Sequence, residues 1–224
     1  MQTRRNWIRS SIGLGGLLLA PELALSKEEI RKFNPRPLSK TIKLSSNENP
    51  YGPSEKVQKA VIKAFDNGCR YPRVYSNALA KKLAKLHRVS PENIIITGGS
   101  TEGLKITGLT FANGGGEIIA AKPTFLAMMD FAEQWGAKIS WIPVGEDKGY
   151  DLNAINNRIN NNTKLVFLCN PNNPTGTVVG KNSLIDFCSS ASNKTIIFSD
   201  EAYYDFIQTP IIPQWTLLFE RVKM

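Results

Sequence analysis

The sequence predicts an α/β chain, a mostly parallel sheet flanked by helices, and three observations carry that expectation. Residues 165–168 form a short continuous apolar run that breaks at once into Asn170-Pro171-Asn172-Asn173-Pro174-Thr175-Gly176. Residues 195–198 form a second run, β-branched and apolar, that leads straight into Ser199-Asp200-Glu201-Ala202-Tyr203. Between them, residues 183–191 have the apolar spacing of a crossover helix. Continuous apolar strands joined by helices belong to parallel sheets covered on both faces, because neither face meets water. Ligands in such sheets bind beyond the carboxyl ends of the strands, where Asn173 and Asp200 fall.

The other elements follow from the same patterning. Residues 27–40 are charged and contain Pro35 and Pro37, which predicts an extended arm. Residues 47–53 have the turn chemistry of a loop, and Ser54 then caps a helix running to about Asn67. Residues 78–89 have helical spacing and carry His87, the only histidine, on the expected helix surface. Residues 93–97 read as a β-branched strand ending at Gly98-Gly99, with a helix beginning at Ser100 or Thr101. A strand at 117–121 follows, then Pro123-Thr124-Phe125 and an amphipathic helix that places Phe131 and Trp135 in the core. A strand at 138–144 and a helix at 151–159 complete the pattern.

Composition excludes more than it assigns. The net charge of +9 owes part of its size to arginines near the start, and no basic run is interleaved with aromatics. Nucleic-acid binding therefore has no support. Cys69, Cys169 and Cys188 lack metal-type spacing, and an odd number cannot complete a disulfide framework. They read as small core residues, and no metal site is expected. Gly98-Gly99 lacks the glycine spacing of a dinucleotide fold.

At the start, Thr3-Arg4-Arg5-Asn6-Trp7-Ile8-Arg9 precedes a Gly/Leu-rich apolar run at 12–20. A run this short after a basic segment predicts an export signal rather than a membrane span. The paired arginines resemble a twin-arginine signal, the route of proteins that fold before export. Ala24-Leu25-Ser26 fits a small-x-small cleavage site, so residues 1–26 are expected to be a signal. The expected location is periplasmic or otherwise exported, or cytoplasmic if the signal does not function, with no membrane association after signal removal.

The glycine turn at 98–99 has the chemistry of an anion site. Glycines let the backbone approach closely, and the unpaired N–H groups of a helix start attract negative charge. Ser100 and Thr101 add hydroxyl donors. Asp200, at the end of a buried strand, needs a cationic partner.

Asn-Pro-Asn-Asn-Pro-Thr-Gly at 170–176 followed by Asp-Glu-Ala-Tyr at 200–203 resembles the class I/II aminotransferases, within them the histidinol-phosphate aminotransferase-like branch. The resemblance covers roughly residues 44–209 and implies the fold type I of enzymes that use pyridoxal phosphate (PLP). It implies Gly99, Ser100 and Thr101 at the cofactor phosphate and Phe125 stacked on its ring. It implies Asn173 and Tyr203 beside the phenolate oxygen, and Asp200 keeping the pyridine nitrogen protonated. Arg70-Tyr71-Pro72 resembles the segment whose tyrosine crosses a homodimer interface to the partner's cofactor phosphate. The loop carrying Asn47 and Tyr51 resembles the family's substrate loop. The implied reaction moves an amino group from an amino acid to a 2-oxo acid.

The family pattern continues to a Ser-x-Ser-Lys motif with the Schiff-base lysine and then to a Gly-x-Arg-x-Gly segment, and neither occurs in these 224 residues. No catalytic residue is therefore assigned, and a truncated or frameshifted product is expected. Its parts would be a signal (1–26), an arm with substrate loop (27–70), a partial cofactor domain (71–209) and a divergent tail (210–224). Two alternatives stay open: a PLP-dependent decarboxylase of the threonine-phosphate type, and a non-catalytic chain that at most binds PLP.

Overall fold

The computed structural model describes residues 43–207. The expected signal, the arm at 27–40 and the tail at 210–224 lie outside the described residues. The chain divides into two units, Met1–Arg73 and Val74–Met224. In the first, an exposed loop leads into helix α1 (Glu55–Ala64), extended by a 3-10 turn at Phe65–Asn67. Ser54 caps α1 as expected, its hydroxyl accepting from Val57 N at 3.4 Å.

The second unit carries helix α2 (Arg73–His87), whose first residue closes the first unit, and helix α3 (Ser100–Ala112). Strand β1 (Glu117–Lys122), helix α4 (Ala127–Glu133), strand β2 (Lys138–Pro143) and helix α5 (Leu152–Arg158) follow. Strand β3 (Thr163–Cys169), helix α6 (Lys181–Ala191), strand β4 (Ile196–Asp200) and a 3-10 turn at Tyr204–Phe206 complete it. The four strands are parallel in the order β2-β1-β3-β4. β1 and β3 are central and almost wholly buried, whereas β2 and β4 at the edges are half-exposed. β1 and β3 show the burial a continuous apolar run predicts. The run at 195–198, also expected to be covered on both faces, instead supplies edge strand β4, where Ile196 is 42% exposed.

Period-two alternation sends these apolar side chains to both faces. On one face Ile118, Ala120, Leu165 and Phe167 pack with Leu104 of α3 and Met128 of α4. On the other, Ile119, Val166 and Leu168 pack with Ile155 of α5 and Leu184 of α6. Gly108 lets α3 and α4 approach closely: a Cβ there would stand 3.0 Å from Met128 Cγ and 3.3 Å from Ala132 Cβ.

The floor of the sheet is pinned by a buried carboxylate at the start of β1. Glu117 accepts from Ser140 Oγ (2.5 Å), Asn160 Nδ2 (2.7 Å), Thr163 Oγ1 (2.8 Å) and Arg158 (3.0 Å). Burial raises its pKa, but the three side-chain hydrogen bonds and the Arg158 charge outweigh that and leave it below the ordinary range.

Several expectations need correction. Residues 94–97 form no strand; a 3-10 turn at Pro91–Asn93 precedes them, and Ile95 is 86% exposed. Their β-branched side chains favour extended backbone, but a strand also needs a neighbour, and none of the described strands pairs with them. Trp135 is exposed and Phe131 half-buried. α4 ends at Glu133, so Trp135 falls in a turn closed by Gly136 (φ +88°), and Met128, Met129 and Ala132 form the helix's buried face. Cys169 and Cys188 are core residues, but Cys69 is exposed, and all three thiols are free. α2 also begins at Arg73, earlier than 78, directly after Pro72, whose fixed φ suits a helix start. His87 ends it half-buried, with Nδ1 covered and without a partner among the described residues.

Candidate functional site

Parallel strands put all four carboxyl ends on one edge of the sheet. Central neighbours β1 and β3 send their following helices to opposite faces, α4 to one and α6 to the other. The loops after them diverge, and this switch point is where open α/β sheets bind ligands. Its walls are Pro123-Thr124-Phe125 after β1 and Asn170–Gly176 after β3.

Two asparagines of that loop are buried at 2% exposure, Asn170 and Asn172, whereas Asn173 is half-buried; Asn172 is the one that bridges the two walls. Its Oδ1 accepts from Thr124 Oγ1 and Tyr150 OH, both at 2.8 Å. Its Nδ2 donates to Pro123 O (3.1 Å) and Thr175 Oγ1 (2.9 Å). The Tyr150 hydroxyl also accepts from Cys169 N at 3.1 Å. Burial pushes Tyr150 up to about 12, so its hydroxyl keeps its proton as a donor. Burial likewise raises the Cys169 thiol to about 11, so it is neutral and unreactive. Sequence reasoning missed Asn172, Tyr150 and Thr124; the one available signal was a second asparagine beside Asn173.

Asp200 ends β4 beside Cys169, its partner in register, and is 8% exposed. Its carboxylate accepts from Ala202 N at 3.1 Å and meets no ion-pair partner among the described residues. Burial raises its pKa above the ordinary value of 3.8, against the lowering pull of the Ala202 N–H. Asn173 and Tyr203 are half-buried on the following loops, with Tyr203 tilted against Phe206 at 6.4 Å. Phe125 is half-buried against the α3/α4 core.

α3 brings its start to this edge. Its last carbonyl, Ala112 O, accepts from Gly116 N at 3.1 Å, which ties its end to the beginning of β1. The 13-residue helix is about 20 Å long, close to the length of a six-residue strand. Gly99 stands before it at φ +103° with nothing within 4 Å of an added Cβ. No side chain caps the first turn, and Ser100 and Thr101 are exposed. Glu102 reaches back only to Gly98 N. The structure thus gathers Gly99, Ser100, Thr101, Phe125, Asn173, Asp200 and Tyr203 at one edge. Asn47, Tyr51 and Tyr71 belong to the other unit, where Tyr51 and Tyr71 are 90% and 97% exposed.

These groups fit a phosphorylated pyridine: an uncapped helix start for the phosphate, and a buried carboxylate without a cation for the ring nitrogen. Among the described residues no group of three or more His, Cys, Asp or Glu side chains could hold a metal ion. The model of the aminotransferase class I and II family matches residues 39–222. The chain belongs to the class I and II aminotransferases. Histidinol-phosphate aminotransferase of Caldicellulosiruptor saccharolyticus is 38% identical over 176 residues, 79% of this chain and 49% of its own. That of Bacillus cytotoxicus is 34% identical over 186 residues, 83% of this chain and 50% of its own. The chain spans about half the length of the curated relatives it matches. The fold of this aminotransferase-family chain also matches the crystal structure of histidinol-phosphate aminotransferase from Sinorhizobium meliloti in complex with pyridoxal-5'-phosphate. The TM-score is 0.68 at 22% identity, over 73% of this chain and 44% of that one.

Proposed function

We propose that this chain carries the cofactor-holding part of a PLP-dependent aminotransferase, which moves an amino group from an amino acid to a 2-oxo acid. The observation that carries the reading is Asp200, a buried carboxylate at a strand end with one backbone donor and no cation among the described residues. Relatives named histidinol-phosphate aminotransferase at 34–38% identity support transamination over decarboxylation.

PLP, when bound, supplies an electron sink for the charge left when the substrate's Cα proton departs. In this reading Asp200 holds a proton on the ring nitrogen and so deepens that sink. Phe125 stacks on the ring, orients it and shields one face from water. Asn173 and Tyr203 donate hydrogen bonds to the phenolate oxygen. The N–H groups of Gly99–Thr101 and the two hydroxyls hold the phosphate. Asn47 and Tyr51 contact substrate, and Tyr71 reaches the phosphate of a homodimer partner; its 97% exposure leaves it available for that contact. Arg4 and Arg5 direct export before residues 1–26 are removed.

These 224 residues contain no Ser-x-Ser-Lys, and no side chain among them is assigned to shuttle the Cα proton. A positioned proton-transfer group is worth roughly 10²–10⁴ in rate. The purified chain is therefore expected to bind PLP without turning over. Absorbance titration with PLP and single-turnover assays with several amino acids test this. Repeated turnover, with borohydride fixing the cofactor to one specific lysine, refutes the second half of that expectation. Absence of any PLP binding by the folded chain refutes the first.

A further inference from the structure

Phe125 and Asn173 sit on different loops, and each follows directly on a residue that is clamped to the other loop. Thr124, just before Phe125, donates to Asn172 Oδ1 at 2.8 Å, and Asn172 lies just before Asn173. Pro123 O accepts from Asn172 Nδ2 at 3.1 Å. A carbonyl only accepts, so this bond fixes which way the Asn172 amide points. The second Nδ2 hydrogen goes to Thr175 Oγ1 at 2.9 Å, and the one Tyr150 hydroxyl proton is shared between Asn172 Oδ1 at 2.8 Å and Cys169 O at 2.9 Å. Both hydrogens and the oxygen of a nearly fully buried amide are thus engaged, with one bond on each side of the amide going to the opposite wall. Tyr150 extends the clamp: it accepts from Cys169 N, and Cys169 pairs in register with Asp200.

We infer that Asn172 is the positioning residue of the crevice. It touches no cofactor; it locks the two loops in one register, and through Tyr150 it fixes both against the strand end that bears Asp200. Catalytic groups held by packed, hydrogen-bonded supports keep their geometry without reorganising on binding. The inference rests on the cofactor reading for its purpose, but the clamp itself is a property of the cofactor-free chain.

The test uses the whole chain with three variants and a control. Asn172→Asp keeps the shape and removes the Nδ2 donors, Asn172→Ala removes the clamp, and Thr124→Val removes one bond. Glu117→Gln is the control, because it loosens the opposite end of the sheet. Hydrogen exchange is followed at residues 123–126 and 172–176, together with PLP affinity and the induced circular dichroism of bound PLP. All are measured at a temperature where the variants compared are folded.

Thr124→Val and Asn172→Asp are expected to speed exchange in both loops together by at least tenfold. They should also weaken PLP binding by at least tenfold and alter the dichroic band. Glu117→Gln should leave all three as in the wild type. Exchange that changes only in the loop carrying the substitution overturns the clamp, as does an affinity loss matched by the control. If Asn172→Ala does not fold, Thr124→Val decides alone. Loops that open together in a chain that binds no PLP sustain the clamp and refute the cofactor reading. Unaltered PLP binding in clamp variants whose loops open together refutes the positioning role and leaves the cofactor reading standing.

Discussion

Replacing Asp200 with asparagine should move stability and cofactor affinity in opposite directions. The carboxylate is 8% exposed, accepts only from Ala202 N among the described residues, and is held above its ordinary pKa by burial. A carboxylate whose folded pKa exceeds its unfolded value binds its proton more tightly in the folded state. Its contribution is therefore fully favourable below about 3.8 and is lost as pH rises through the folded value. At neutral pH the ionised group destabilises the cofactor-free chain. Asp200→Asn keeps an acceptor for Ala202 N and removes the charge, so the cofactor-free variant should unfold at a higher temperature at pH 7, and the gain should vanish below pH 3.8. For PLP the sign reverses. A hydrogen bond to a charged partner contributes roughly 1.5–3 kcal/mol, so affinity should fall about 10- to 150-fold. Thermal unfolding from pH 3.5 to 8 and PLP titration measure the two effects. A variant that is less stable at pH 7 and binds PLP as well as the wild type refutes the reasoning.

Glu117 should behave as its opposite: its pKa is lowered, so the stability it provides is present above about 4.5 and lost as pH falls through the lower folded value. Glu117→Gln should cost on the order of 2–4 kcal/mol, because a buried acceptor of several donors loses its charge; Arg158, half-exposed, adds little to that figure. Urea unfolding checks it, and a loss below 1 kcal/mol would show the cluster to be incidental. Gly99→Ala forces a side chain into φ +103°, a strain of roughly 1–3 kcal/mol, and should weaken PLP while sparing pyridoxal, which lacks the phosphate. Equal losses for both ligands would remove the phosphate from this turn. Changing Arg4 and Arg5 together to lysine should leave the precursor in the cytoplasm of an exporting host, and undiminished export on fractionation would sink the signal.

What the sequence announces and what it conceals divide along range of interaction. β1 and β3 were legible because a strand buried on both faces must be apolar at every position, and that demand is written locally. Residues 93–97 satisfy the same local preference and still form no strand, because pairing depends on a neighbour that the segment does not encode. Trp135 was misplaced for a related reason: helical spacing places a residue on a face only while the helix lasts, and α4 stops at Glu133. At the site, Asp200 was readable from a strand end and Gly99 from a turn. Asn172 and Asn173 are the same residue type in the same loop, and nothing beside them in the chain separates their roles. Thr124 does so from 48 residues away and Tyr150 from 22. Groups that face a ligand cluster at strand ends and turns, where local pattern marks them. Groups that hold those loops together are defined by partners distant in the chain, so only the folded arrangement identifies Asn172 as a support.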